Sequence, residues 1–181
     1  MGPSDADLIA RVLSSDDRHA FATLVRRHQS AVRGLLRRLT CGQGAIADDL
    51  AQETFLRAYR SLASFRGGAR FSTWLHSIAY HLFLNELRRR RPEVAEAPEP
   101  SEPSTAGRSL LRHDLSRAME DLRPEERLAL ALAFGQDYSH QEVAEILGCP
   151  LGTVKTHIAR GKDKLKARLG AWETRGPGES P

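Results

Sequence analysis

The chain has 181 residues, 40% of them hydrophobic and 28% charged, with a formal net charge of +4 and an isoelectric point near 9.4. That length suits one medium domain or two small ones. The two cysteines, Cys41 and Cys149, lie far apart without CxxC spacing, which argues against a disulfide framework or a zinc site and fits a reducing cytoplasm. Met1–Arg11 lacks the apolar stretch of a signal peptide, and charges break every apolar run well short of the ~20 residues that membrane insertion needs.

The positive charge is clustered. Residues 1–91 carry 15 Lys/Arg against 8 Asp/Glu, and residues 151–170 carry six bases against Asp163 alone. Clustered base points to a polyanion, most often nucleic acid; a plainly solvated surface is the alternative.

In chain order, Asp5–Ser14 and Ala20–Thr40 read as helices. From Ala47 the apolar or small residues Leu50, Ala51, Thr54, Phe55, Ala58, Tyr59 and Leu62 follow helical spacing. The stretch Ser64–Gly68, SFRGG, breaks that helix. Another runs from Ser72 to Arg90, with Leu75, Ile78, Ala79, Leu82 and Leu87 inward. Residues 92–107 hold four Pro and four Glu and predict an extended linker that keeps two halves apart.

Beyond it, a helix is expected around Ser109–Asp121. Pro124 then opens a helix that ends near Gly135, with Glu125 and Glu126 at its positive end. Ser139 and Glu142 have capping-box spacing for a helix to Leu147. After Gly148-Cys149-Pro150 a last helix runs to about Leu169, and residues 173–181 read as a disordered tail. No segment alternates with period two. The expected fold class is all-α: two small helical domains, 1–91 and 108–172, joined by a flexible linker.

Three constellations carry function. Tyr138–Arg168 has a helix-turn-helix pattern. Val154, Ile158, Gly161, Leu165 and Leu169 face inward, while Lys155, Thr156, Ala159, Arg160, Lys162 and Lys166 face out, as a helix in a major groove requires. An ordinary basic surface helix is the competing reading. Asp48, Asp49, Gln52 and Glu53 form a polar face in an otherwise basic half, either solvated or docking a basic protein. Phe65 and Arg66 precede Phe71 and Trp74, and the helix ends in Arg88–Arg91. Aromatics beside bases suit single-stranded DNA, yet aromatics at helical spacing are usually core. An enzyme is not expected. No His or Cys joins the acids at metal-ligand spacing, and neither a hydrolase triad, a Walker loop nor a dinucleotide fingerprint is present.

These residues resemble a known family. AIADDLAQETFLRAYRSLASFRGGARFSTWLHSIAYHLFLNELRRRR resembles region 2 of the sigma-70 family, and LRPEERLALALAFGQDYSHQEVAEILGCPLGTVKTHIARGKDKLKARL resembles region 4. The short spacing between them resembles the extracytoplasmic-function (ECF) group. The resemblance implies that residues 1–91 bind core polymerase and melt the −10 element, and that residues 108–172 read the −35 element as duplex. It carries core RNA polymerase contacts, on the β′ and β subunits, to Asp48, Asp49, Gln52, Glu53 and Phe55. It carries single-stranded −10 contacts to Phe65, Arg66, Phe71, Trp74, His81 and Arg88. Duplex −35 contacts fall to Lys155, Thr156, His157, Arg160 and Lys162. An anti-sigma factor is implied as a partner, and neither cofactor nor metal. Two residues depart from the pattern: His81 stands where many members have Asn, and Ala159 where some have a bulky residue. Without the resemblance, a helix-turn-helix regulator acting apart from polymerase also accounts for 138–168, and a protein-interaction adaptor is a third class.

Overall fold

The computed structural model describes residues 2–90 and 115–173, with side chains to residue 170. Every regular element among them is helical. The acidic stretch 92–107 and the tail beyond residue 173 lie outside the described residues.

Helix α1 (Asp5–Ser15) starts at a capping box, in which the Asp7 amide donates to Ser4 Oγ and the Ser4 amide donates to Asp7 Oδ2 at 2.8 Å. It stops at Asp16 in the left-handed region, and Asp17 caps α2 (Arg18–Leu39) by accepting from the Ala20 amide at 3.0 Å. Two aspartates therefore make the whole turn. Leu24, Val32, Leu35, Leu36 and Leu39 of α2 are fully buried, so this helix is the axis of the first half. Helix α3 (Gly44–Arg60) and α4 (Phe71–Arg90) pack on it and on each other. A single 3₁₀ turn, Leu62–Ser64, and the glycine-bearing loop 65–70 join them.

The second half comprises α5 (residues 115–120), α6 (Pro124–Gly135), α7 (His140–Leu147) and α8 (Leu151–Glu173). Pro124 occupies the first turn of α6, and Glu126 accepts from the Arg123 amide at 3.1 Å. Ser139 and Glu142 form the expected capping box of α7. Gly148, at φ +64°, turns the chain into α8 in a conformation that costs other residues more. At Gly161 α8 lies so close to α6 that a Cβ would sit 2.7 Å from Leu130 Cδ1.

The two halves are not held apart, as the linker composition suggests, but packed together. Helix α2 lies on α6 and α4 on α7, and one apolar cluster runs through both halves. The seam also has polar ties. Arg127, 8% exposed, donates from Nη1 to the Leu39 carbonyl at 2.5 Å, and Gln136 Nε2 donates to the Ala31 carbonyl at 2.8 Å. Arg70 and Glu142 approach to 3.3 Å. Linker composition reports on residues 92–107 alone; the docking is decided by faces of α2, α4, α6 and α7 that local periodicity assigns to each half's own core. No described helix is long and apolar enough to cross a membrane.

Candidate nucleic-acid and protein interfaces

Helices α7 and α8 cross over Val143, Ile146, Val154 and Ile158, all buried. Lys155, Thr156, Arg160 and Lys162 are exposed, and His157 is half-buried. Counting about 100° per residue, Lys155, Lys162 and Lys166 fall near one line along α8, and Thr156 and Arg160 near a second, some 100–140° around. Lys162 Nζ sits 4.4 Å from the centre of the Phe134 ring, which steadies it by a cation–π contact. Lys155 and Arg160 have no ion-pair partner among the described residues. Leu169, expected inward, is 39% exposed, because α8 runs past the helices that cover it. Lys164, absent from the sequence-based set, instead pairs with buried Glu126 at 2.7 Å and fixes α8 on α6.

On α3, Asp49 and Gln52 are exposed and Glu53 half-buried. Asp48 Oδ1 lies 3.2 Å from Arg33 Nε and 3.7 Å from Arg37 Nη2, ion pairs without hydrogen-bond alignment, so α2 already balances its charge. Phe55 points into the bundle and is 9% exposed. Leu56, one residue on and 52% exposed, supplies the apolar surface of this face instead. The signal for Leu56 was its i+4 spacing from Gln52, which puts it on the polar face.

The third group gathers around the loop 65–70. Phe65, Phe71 and Trp74 form a ring cluster with centroids 5.4–5.6 Å apart. Phe71 is buried, with His28 against its edge, while Phe65 and Trp74 are half-buried. Arg66 is exposed on the loop. A cleft of about 320 Å³ opens here, lined by residues 64–69, Thr73, Trp74 and Ser77, and on its far side by Glu145 of α7. Trp74, Ser77, His81, Asn85 and Arg88 fall within about 80° of arc, so they form one stripe along α4 of roughly 21 Å. His81 is exposed, and its Nδ1 lies 2.6 Å from the Ser77 carbonyl. Nδ1 therefore donates, and in the neutral ring Nε2 is left outward as an acceptor. Arg88 is exposed and donates to Asn85 Oδ1 at 3.1 Å.

His76 lies on the opposite face, 1% exposed, with neither ring nitrogen hydrogen-bonded and the Tyr138 ring edge-on at 5.3 Å. Burial, helped by His28, lowers its pKa from 6.5 to about 4.

Residues 24–93 match the family model for Sigma-70 region 2, and residues 112–165 match that for Sigma-70, region 4. The chain is similar to the ECF RNA polymerase sigma factor SigE of Mycolicibacterium smegmatis, with 38% identity across 81% of this chain and 60% of that protein. It is similar to the RNA polymerase sigma-H factor of Pseudomonas aeruginosa, with 34% identity across 91% of this chain and 93% of that one. Among solved structures it resembles the sigma factor RpoE in complex with the anti-sigma factor NepR from Bartonella quintana, at a TM-score of 0.71 and 26% identity over 83% of this chain and 96% of that chain.

Proposed function

The chain belongs to the sigma-70 family, in its ECF group, and we propose a division of its surfaces among the tasks by which such a factor directs promoter-specific transcription. Asp49, Gln52, Glu53 and Leu56 of α3 dock core polymerase, with apolar Leu56 at the centre of an acidic rim. Asp48 acts at one remove, by holding α3 against Arg33 and Arg37 of α2. The cleft at 64–69 and the α4 stripe take the non-template −10 strand: Phe65 and Trp74 stack on bases, Arg66 and Arg88 follow phosphates, and His81 offers Nε2 to a base edge. Phe71 supports that platform from beneath. On α8, Thr156 and Arg160 read −35 base edges, Lys155 and Lys162 contact phosphates, and His157 buttresses the helix.

One observation carries this reading. The aromatic cleft continues into the Trp74–His81–Arg88 stripe in the same chain as a separate basic recognition helix. A helix-turn-helix regulator working without polymerase has no use for the stripe and is not favoured. We place the protein in the cytoplasm with polymerase, and expect an anti-sigma factor to bind it as NepR binds RpoE. Run-off transcription with purified core polymerase on a randomised promoter library tests the proposal. Enrichment of a spaced pair of elements is expected; absence of any chain-dependent start site overturns it.

A further inference from the structure

Helices α1 and α2 form a hairpin whose open end is closed by one carboxylate. Asp5, in the first turn of α1, pairs through Oδ1 with Arg27 Nη1 of α2. Its Oδ2 lies 2.8 Å from His28 Nε2, and Arg27 Nη2 donates to the Pro3 carbonyl at 3.0 Å. A carboxylate only accepts, so His28 Nε2 is the donor. An imidazole otherwise turns broadly about its second side-chain torsion. The bond to Asp5 selects one orientation of the ring.

The His28 side chain is 13% exposed and does not line the 64–69 cleft. Its ring instead meets that of Phe71 nearly edge to face, with centroids 5.4 Å apart and planes at 73°. Phe71 is buried and has no polar side-chain atom, so packing alone sets its ring plane. Phe65 and Trp74 rest on it at 5.5 and 5.6 Å. The loop after Phe65 contains Gly67, at φ +72°, and Gly68, which leave its backbone permissive and make the ring contacts the firmer hold. A leucine at position 28 would fill the space, but it would neither bond Asp5 nor present a ring edge.

We propose that Asp5 and His28 are positioning residues for strand capture, an inference that rests on the reading of the 64–69 cleft given above. Asp5 fixes the plane of His28, His28 fixes Phe71, and Phe71 sets the separation and tilt of Phe65 and Trp74. Helix α1 thereby controls how closely the cleft accepts a base, although none of its residues lines that cleft. Stacking selects a base only if the rings already stand at the right spacing. A site loosened by about 1 Å loses much of its rate and selectivity.

The test uses the full-length chain with Trp172→Phe, so that Trp74 is its one remaining indole. Asp5→Ala and His28→Leu enter that background singly and together, with Asp5→Glu as the conservative variant. Each of the first two should shift Trp74 emission of the free chain to the red. With core polymerase, each should cut open-complex formation by about fivefold or more and flatten the ranking of −10 point mutants, read by permanganate footprinting. Core binding and helical content should be unchanged. The double variant should be no worse than either single one, since both break one path. Asp5→Glu should restore part of the loss. Wild-type emission or wild-type ranking in both single variants overturns the proposal. So do melting defects that merely track lost helicity or core binding, which make the pair structural. Trp74→Ala in the unaltered chain isolates the reading beneath. If it impairs melting while the Asp5 and His28 variants do not, positioning alone has failed; if it melts promoters as wild type does, the cleft reading has failed and the proposal with it.

Discussion

Lys164 Nζ lies 2.7 Å from Glu126 Oε2, and this bond ties the recognition helix to the buried face of α6. Glu126 is 2% exposed. Burial pushes its carboxyl pKa up, but Lys164 and the Arg123 amide outweigh burial and hold it below the ordinary value. Lys164→Ala leaves a buried carboxylate without its cation. Because Lys164 is 41% exposed and water can partly replace it, the expected loss is about 2 kcal/mol, less than the 3–5 of a fully buried pair. Lys164→Met with Glu126→Leu should recover most of it. Chemical denaturation of the four corners of this cycle measures the coupling.

His76 makes stability depend on acid. Its pKa of about 4 in the folded chain lies below the ordinary 6.5. Between those values the unfolded chain holds the extra proton. Its contribution is therefore whole above pH 6.5, declines as pH falls and is gone below about 4. The full swing corresponds to ~3 kcal/mol. His28 from α2 and Tyr138 from the α6–α7 turn are the titratable groups that face it. Other carboxylates titrate in the same range, so the informative quantity is a difference. Wild type should lose more stability than His76→Leu between pH 7 and 4.5, by urea unfolding at each pH; parallel curves count against the assignment.

The α3 face separates two kinds of acid. Asp49→Lys and Leu56→Ala should each weaken binding to core polymerase about tenfold or more, with unchanged helical content by circular dichroism. Asp48→Ala should act chiefly on stability, by up to about 1 kcal/mol, since it frees Arg33 and Arg37 beside each other. Loss of core binding by Asp48→Ala alone, with Asp49→Lys silent, would reverse these roles.

The two lines on α8 predict different selectivity. Arg160→Ala should cost on the order of 1–3 kcal/mol and relax preference at one −35 position, whereas Lys155→Ala should weaken all duplexes alike and flatten the salt dependence. Binding to a −35 point-mutant series at two salt concentrations distinguishes them.

His81 is held by the Ser77 carbonyl with Nε2 outward. His81→Ala should reduce open-complex formation more than it reduces core binding, and His81→Asn should change the preferred −10 base. Permanganate footprinting of melted thymines provides the measurement. Wild-type melting and promoter ranking in both variants would make His81 structural.

Local chemistry made much of this legible in advance. The Ser139–Glu142 cap and Gly148 mark the helix-turn-helix because both act within a few residues. The α4 period separates His76 from His81, one buried and one exposed. What a single helix cannot encode is its neighbour. Asp48 reads as a free acid until α2 brings Arg33 beside it. Arg127 reads as surface until its guanidinium reaches Leu39, 88 residues away in sequence. Phe55, by contrast, turns inward and Leu56 outward as the α3 period directs, so Phe55 as a polymerase contact runs against the spacing of its own helix.

The seam between the halves has an asymmetry. The acceptors on α2 are the main-chain carbonyls of Leu39 and Ala31, while both donor side chains, Arg127 and Gln136, belong to α6 and the residue after it. Every residue type carries a carbonyl, so those two positions on α2 can vary without losing the bonds, provided the helix keeps its path. Substitutions there need no matching change across the seam. A hybrid joining this second half to another relative's first half should therefore keep both bonds, whereas the reciprocal hybrid keeps them only if its donor carries Arg and Gln at the corresponding places.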